Sequence, residues 1–129
     1  MLYAILCYDA EDIVTAWSAE KDQATSARLA VVEAKLAAEG RLGAAARLLP
    51  TTSATTVRAR KEPLVTDGPC AETKQQLLGF YVVECASLDS ALATACELAR
   101  ANPGAAAYEV RPLALFHPSG GVPSGRGNC

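Results

Sequence analysis

Aromatic residues and histidine are scarce in this sequence. Aromatic side chains make up 5% of its 129 residues, whereas hydrophobic residues make up 50%. The core is therefore expected to be aliphatic and rich in small residues, with Trp17, Phe80 and Phe116 as its bulky members. A single histidine, His117, lies near the C-terminus.

The sequence also lacks the cysteine spacings of metal and redox sites. Five cysteines are present, an odd number, and none forms a C-x-x-C pair, so neither a zinc knuckle nor a thioredoxin-like pair is indicated. Reduced thiols in a reducing compartment fit this pattern. We expect Cys7, Cys85 and Cys96 to serve as small core residues.

Long apolar runs, strong net charge and cofactor motifs are absent as well. The apolar run from Leu2 to Cys7 is too short to span a bilayer and lacks the basic flank of a signal peptide. A net charge of −2 gives no general attraction to nucleic acid or to an anionic membrane. There is no P-loop, dinucleotide fingerprint or metal-ligand cluster in the sequence. We expect a cytoplasmic protein with no cofactor and no metal, binding neither nucleic acid nor membrane.

The hydrophobic pattern that is present predicts two helices among short strands. Ser18 is placed to cap a helix over about residues 19–39, which Gly40 ends, and Ser87 opens a second helix that Asn102-Pro103 stops. The apolar stripe of the second helix is predicted to be Leu88, Leu92, Ala95 and Ala99. Strands are predicted at residues 2–8, 41–49, 55–60, 64–66, 77–85 and 107–115.

This order is β-α-β, a hairpin excursion, then β-α-β, which predicts an α+β fold of the ferredoxin-like, split βαβ type. Two helices would cover one face of an antiparallel sheet. The strands at residues 2–8 and 77–85 are apolar on both faces, however, so the open sheet face is expected to meet a second copy in a homodimer. Residues 1–116 are assigned to this domain, and residues 117–129, rich in Gly, Pro and Ser, to a disordered tail.

One segment carries a specific motif, TDGPCAETKQQLLGFY at residues 66–81. It resembles the signature of the DGPF branch of the YCII-related proteins, whose usual form reads D-G-P-F-A-E-T-K-E-Q-L-G-G-F-Y. Looser similarity extends over residues 1 to about 112. The resemblance implies a dimeric α/β barrel of ferredoxin-like protomers, lyase-type chemistry in some members, and a frequent link to extracytoplasmic-function sigma factors.

Two positions depart from the family pattern. Relatives commonly carry a histidine on the first helix, eleven residues before its terminal glycine, and here that position is Leu29. The remaining histidine, His117, lies in the predicted tail, so a His–Asp acid/base pair is not expected in this chain. Where the family has phenylalanine after the turn, this sequence has Cys70.

The candidate site residues cluster around the Asp-Gly-Pro turn. Asp67 is the candidate catalytic carboxylate, as base or hydrogen-bond acceptor, with Glu72 as a second carboxylate. Tyr81, on the central strand beside the motif, and Arg58 are candidate ligand-binding residues. Each has a purely structural alternative: Asp and Gly favour turns for conformational reasons, and charged strand residues are commonly just solvated.

Two function classes follow from these residues. The first is a small-molecule binding protein with a cleft near the turn, with lyase- or isomerase-type acid/base chemistry that depends on Asp67 and Tyr81. The second is a non-catalytic dimeric module, regulatory or structural and linked to sigma-factor signalling, in which the turn only shapes the fold. The absent helix histidine favours the second class.

Overall fold

The computed structural model of the chain describes residues 1–104 and 106–118. Within these residues, three helices and six strands form. In chain order they are β1 (Leu2–Asp9), α1 (Glu11–Thr15), α2 (Ala19–Ala38), β2 (Leu42–Arg47), β3 (Thr55–Arg58), β4 (Leu64–Asp67), β5 (Gln76–Glu84), α3 (Leu88–Ala101) and β6 (Ala107–Pro112).

The main sheet has the strand order β2-β5-β1-β6, with every neighbouring pair antiparallel. The central pair, β1 and β5, runs in register from Leu2 opposite Glu84 to Asp9 opposite Gln76, with an irregularity between Cys7 and Tyr8. Strands β3 and β4 form a separate two-stranded sheet. This order confirms the predicted ferredoxin-like α+β fold with a hairpin insertion.

The two long helices begin where their capping residues predict. The Ser18 hydroxyl accepts a hydrogen bond from Lys21 N at 3.1 Å, and the Ser87 hydroxyl accepts one from Ser90 N at 3.2 Å. Gly40, with a φ of 69°, ends α2 in the left-handed conformation that glycine adopts without strain. Helix α1 was not predicted, because its β-branched Ile13, Val14 and Thr15 have low helix propensity.

Helices and sheet enclose an aliphatic core on one side of the sheet. Odd-numbered residues of β1 and β5, such as Ile5 and Val83, pack against Leu36 of α2 and Leu98 of α3, all four at most 2% exposed. The expectation that Trp17, Phe80 and Phe116 are bulky core members was wrong, since all three are only partly buried.

The opposite face of the main sheet is apolar but less well covered. Leu6 and Phe80 are cross-strand partners there, and Ala4 lies two residues along β1; all three are partly buried. Val82 beside them is 6% exposed. The two apolar faces of β1 and β5 therefore differ in packing. One is packed tightly against the helices, and the other is not covered by either helix that contributes to the hydrophobic core.

Helix α3 packs through a face that differs from the predicted stripe. The residues that are buried are Ala91, Thr94, Ala95, Leu98 and Ala101, and of the predicted stripe only Ala95 belongs to them. Leu88 and Leu92 are 50% and 44% exposed, because small alanines allow the helix to approach the sheet closely along the neighbouring face. Cys96 is exposed for the same reason, contrary to its expected role in the core.

Arg41, between α2 and β2, joins three elements by hydrogen bonds. Its Nη2 donates to Thr94 Oγ1 at 2.7 Å and to the buried Cys85 Sγ at 3.3 Å, and its Nε donates to Glu84 O at 3.1 Å. Its Nη1 pairs with Glu39 Oε1 at 3.2 Å. A single guanidinium thus fixes the end of α2 against β5 and α3.

The C-terminal prediction is only partly covered by the described residues. His117 is exposed at the end of the described chain, while residues 119–129, most of the predicted tail, lie outside the described residues. Among the helices described, none is long and apolar enough to cross a membrane.

Candidate functional site

A cavity of about 500 Å³ lies between α2 and the helix-covered face of the sheet. Its apolar wall includes Leu29, Leu42 and Leu78, and its polar wall includes Asp9, Glu33 and Tyr81. Apolar walls with a few convergent polar groups are typical of small-molecule sites, and this volume lies within their usual range.

Gly79 forms part of the floor of this cavity, because it lies on β5 between Cys7 of β1 and Arg47 of β2. A Cβ atom at position 79 would lie 2.6 Å from the Ala46 carbonyl oxygen, so the close approach of β2 requires glycine there. The missing side chain leaves space above the sheet where a larger residue would fill the cavity.

Two tyrosines on neighbouring strands are fixed by hydrogen bonds within the cavity wall. The Tyr81 hydroxyl donates to Glu33 Oε1 at 3.0 Å, and the Tyr108 hydroxyl accepts from Asn102 Nδ2 at 3.0 Å. Burial, followed by the negative charge of Glu33, raises the pKa of Tyr81 well above its ordinary value. Burial also raises the pKa of Tyr108. Both hydroxyls therefore remain protonated at neutral pH and can act as hydrogen-bond donors.

The thiol of Cys7 lies beside these tyrosines and is poorly suited to nucleophilic chemistry. Burial raises the pKa of the thiol, the hydrogen bond with Tyr108 lowers it, and the negative charge of Asp9 raises it again, with a net upward shift. A thiolate is the reactive form of cysteine, so a raised pKa leaves Cys7 as a neutral wall residue.

Asp9, the last residue of β1, is only 4% exposed and lines the cavity. Its Oδ1 accepts a hydrogen bond from Ala10 N at 2.7 Å, whereas Oδ2 has no hydrogen-bond partner among the described residues. Among the described residues, Trp17 Nε1 is the only side-chain nitrogen or oxygen that is both fully buried and without a hydrogen-bond partner. Asp9 Oδ2 consequently keeps accessible surface, and a ligand in the cavity can reach it.

Leu29 and Glu33 line the cavity from α2, one helical turn apart. Position 29 is the one at which a histidine was expected from the family pattern, so that position does face the same cavity as Asp9. With leucine there, the helix contributes apolar surface at position 29 and a carboxylate at position 33.

The cavity continues into a second groove of about 620 Å³ between α1 and the segment that follows β2. Trp17 and an ion pair between Arg47 Nη2 and Asp22 Oδ1, 3.1 Å apart, belong to the walls of both spaces. Glu11 of α1 accepts hydrogen bonds from the backbone nitrogen and the hydroxyl of Thr51, which fixes the outer wall of the groove.

Of the residues predicted from sequence, the structure places only Tyr81 in the cavity. Asp67 and Arg58 are exposed on the β3–β4 hairpin, and Glu72 is exposed in the connection to β5. The Asp67 and Glu72 carboxylates accept no hydrogen bond within the described ranges, and neither residue lines the cavity. Within the single chain, therefore, Asp67 and Tyr81 do not line the same cavity.

The turn itself is held by its hairpin. Gly68 has a φ of 94°, its nitrogen donates to Ala54 O at 2.8 Å, and its carbonyl accepts from Thr56 Oγ1 at 2.7 Å. Arg58 Nη2 donates to Cys70 O at 3.1 Å, which places the predicted ligand-binding arginine on the backbone of the same turn. These contacts give the Asp-Gly-Pro motif an architectural role.

Sequence reasoning missed Asp9 and Glu33 as site residues. Asp9 directly follows the strand predicted at residues 2–8, and a carboxylate in that place with the same parity as the buried Tyr3 and Ile5 is a usable signal. Glu33 lies four residues after Leu29, the position marked by the family pattern, so helical spacing places it on the same face.

Among the described residues, no group of three or more His, Cys, Asp or Glu side chains is arranged to hold a metal ion.

Comparison with known proteins confirms the resemblance to the YCII-related proteins. The profile of the YCII-related domain matches residues 1–114. An uncharacterised protein of Rhizobium meliloti (strain 1021) is 54% identical over 125 residues, which cover 96% of this chain and 100% of the relative. With its domain matched over nearly the whole described chain, this protein belongs to the YCII-related family.

Proposed function

We propose that the protein binds a small molecule in the cavity between α2 and the sheet. The observation that carries this proposal is the accessible oxygen of the buried Asp9 carboxylate in a cavity of about 500 Å³. A buried carboxylate oxygen without a donor costs stability, and a ligand that donates a hydrogen bond to it would recover that cost.

Within this cavity the chemistry open to the chain is acid/base chemistry of lyase or isomerase type. Asp9 accepts a hydrogen bond or a proton from the ligand, and the Tyr81 hydroxyl, whose own proton is directed to Glu33 at 3.0 Å, accepts a hydrogen bond from the ligand and orients it. The role first given to Asp67 thus passes to Asp9, because Asp67 is exposed on the hairpin.

A thermal-shift screen of metabolites tests the proposal. A ligand present at 100 times its Kd stabilises the protein by about 2.7 kcal/mol, which is readily detected. Asp9→Asn keeps the shape of the side chain and the bond to Ala10 N, and is expected to abolish the shift, with Tyr81→Phe weakening it. Asp67→Asn is the matched control and should leave the shift intact. A ligand lost in Asp67→Asn but retained in Asp9→Asn would place the site on the hairpin instead.

A second candidate function is a non-catalytic dimeric module of the kind linked to sigma-factor signalling. It is favoured by Leu29, which removes the helix histidine, and by the apolar sheet face that includes Leu6 and Phe80. Two such faces apposed in a homodimer would withdraw these side chains from water.

Sedimentation velocity at micromolar concentration tests the homodimer. Leu6→Lys, with its charge on this face, should shift a dimer to monomer, whereas Val31→Lys on the exposed side of α2 should not, since Val31 is already 70% exposed. A wild-type chain that sediments as a monomer would refute the dimer while leaving the cavity proposal standing.

A further inference from the structure

We infer that the ligand of the cavity is a small organic cation, an amine carried on an apolar body. This inference rests on the proposed binding function and names the class of molecule that the site recognises. It follows from the aromatic lining, the charge of the lining and the state of Asp9.

Three aromatic side chains line this cavity. They are Trp17, Tyr81 and Tyr108, whereas Phe80, next to Tyr81 on β5, directs its side chain to the opposite face of the sheet. Tyr81 and Tyr108 pack against the hydrophobic core with part of their surface, and both also line the cavity. Aromatic faces attract organic cations through their quadrupoles, more strongly when both partners are shielded from water.

The charged side chains of the lining are predominantly negative. Asp9 and Glu33 contribute two carboxylates, while the positive Arg47 is paired with Asp22 at 3.1 Å. Glu33 has a neutral partner, the Tyr81 hydroxyl. The raised pKa of Tyr81 and of Tyr108 keeps both phenols uncharged, so they do not add to the negative charge. An anionic ligand would be repelled here, and a monocation attracted.

Two other cationic side chains near the cavity, those of Lys21 and Arg28, are held by contacts of their own. Lys21 Nζ lies 4.7 Å from the centroid of the Trp17 ring. Arg28 donates to Ala101 O at 2.9 Å and to Thr25 Oγ1 at 3.1 Å. Neither Lys21 nor Arg28 is part of the cavity lining. No cation among the described residues makes a salt bridge with Asp9 or Glu33.

Asp9 supplies the point of attachment for the ammonium group. The side chain is 4% exposed, and its Oδ2 is unpartnered in the described structure yet accessible. An ammonium group donates up to three hydrogen bonds, which matches a carboxylate oxygen that lacks donors. The apolar body of the ligand would lie against Leu29 and Leu42.

Three probes of equal length test the charge preference: 3-phenylpropylamine, 3-phenylpropan-1-ol and 3-phenylpropionate. Binding to the purified full chain is measured by calorimetry and by the fluorescence of Trp17, the single tryptophan, which lines the site. We expect the amine to bind at least tenfold more tightly than the alcohol, and the propionate more weakly than both.

Substitutions test which residues cause the preference for the amine. Asp9→Asn and Glu33→Gln should each reduce the affinity for the amine about tenfold and leave the affinity for the alcohol within twofold. Glu72→Gln is the control, because it removes an exposed carboxylate outside the cavity, and it should change neither affinity. Melting temperatures establish that each variant is folded. Alcohol binding equal to amine binding, or tighter binding of the propionate, would overturn the inference but preserve the proposed function. Failure of all three probes to bind would also overturn the inference, and the proposed function would fall with it only if the metabolite screen gave no shift that depends on Asp9.

Discussion

Gly79 is the position where the structure gives the most direct quantitative prediction. A Cβ atom there would lie 2.6 Å from the Ala46 carbonyl oxygen and 3.4 Å from Arg47 Cα, both backbone atoms of β2. Carbon–oxygen contacts in sheets ordinarily lie at about 3.3 to 3.6 Å, so Gly79→Ala requires β2 to move by roughly 0.7 Å. A backbone neighbour cannot rotate away as a side chain can.

The expected cost of Gly79→Ala combines two destabilising contributions and one that offsets them. Overpacking costs about 1 to 3 kcal/mol, and a weakened β2–β5 ladder adds about 0.5 to 1.5 kcal/mol. Alanine restricts the unfolded chain and returns about 0.4 to 1 kcal/mol. The net loss in free energy of unfolding is therefore about 2 kcal/mol, which lowers Tm by roughly 6 to 10 °C for a chain of this length.

Gly68→Ala is the matched comparison, because a Cβ atom at position 68 meets no atom within 4 Å and only the φ of 94° opposes it. Left-handed backbone costs alanine about 1 to 2 kcal/mol, and the unfolded-state term offsets part of it, leaving about 1 kcal/mol. Urea unfolding at constant m-value measures both variants. If Gly79→Ala lost less than Gly68→Ala, the close approach of β2 to Gly79 would be refuted.

Three further predictions concern other parts of the molecule. Arg41→Ala removes four hydrogen-bond contacts and should destabilise the chain by about 2 to 3 kcal/mol in urea unfolding. As the control, Arg47→Ala removes an exposed ion pair and should cost under about 1 kcal/mol. Equal losses in the two variants would contradict the anchoring role of Arg41. Ser87→Ala should lower Tm through loss of about 1 kcal/mol of capping energy at α3, and Ser87→Asn should largely retain it. Burial raises the pKa of Tyr81 and of Tyr108, so the folded state holds these protons more tightly than the unfolded state does. The free energy of unfolding should therefore fall as pH rises above about 10. Tyr81→Phe should reduce that fall, and an unchanged dependence of stability on pH would argue against burial of this hydroxyl.

The fold could be predicted where more than one local signal marks the same helix or strand. Ser18 and Gly40 mark both ends of α2, and alternation with turn residues marks the strands, so the α+β order was readable from the sequence. Helix α1 and the buried face of α3 could not be read in this way. In α3 the alanines decide the packing, and their small size gives little hydrophobic contrast against Leu88 and Leu92.

The candidate site was harder to predict, because its residues are distant in the sequence. Asp9, Glu33 and Tyr81 meet only through the pairing of β1 with β5 and the crossing of α2. Tyr81 was found because it follows a recognisable motif. Asp67 drew attention for the same reason, although its exposure on the hairpin shows that a conspicuous sequence segment need not surround a cavity.

The separation between the two-stranded hairpin and the cavity has a consequence for how relatives are grouped. The TDGP segment is maintained by hydrogen bonds among Ala54, Thr56 and Gly68, none of which touches the cavity lining. A change such as leucine for histidine at position 29 therefore leaves the segment untouched. Proteins that are grouped by this segment share a hairpin, and under the proposed function they are better sorted by the cavity residues at positions 9, 29, 33 and 81.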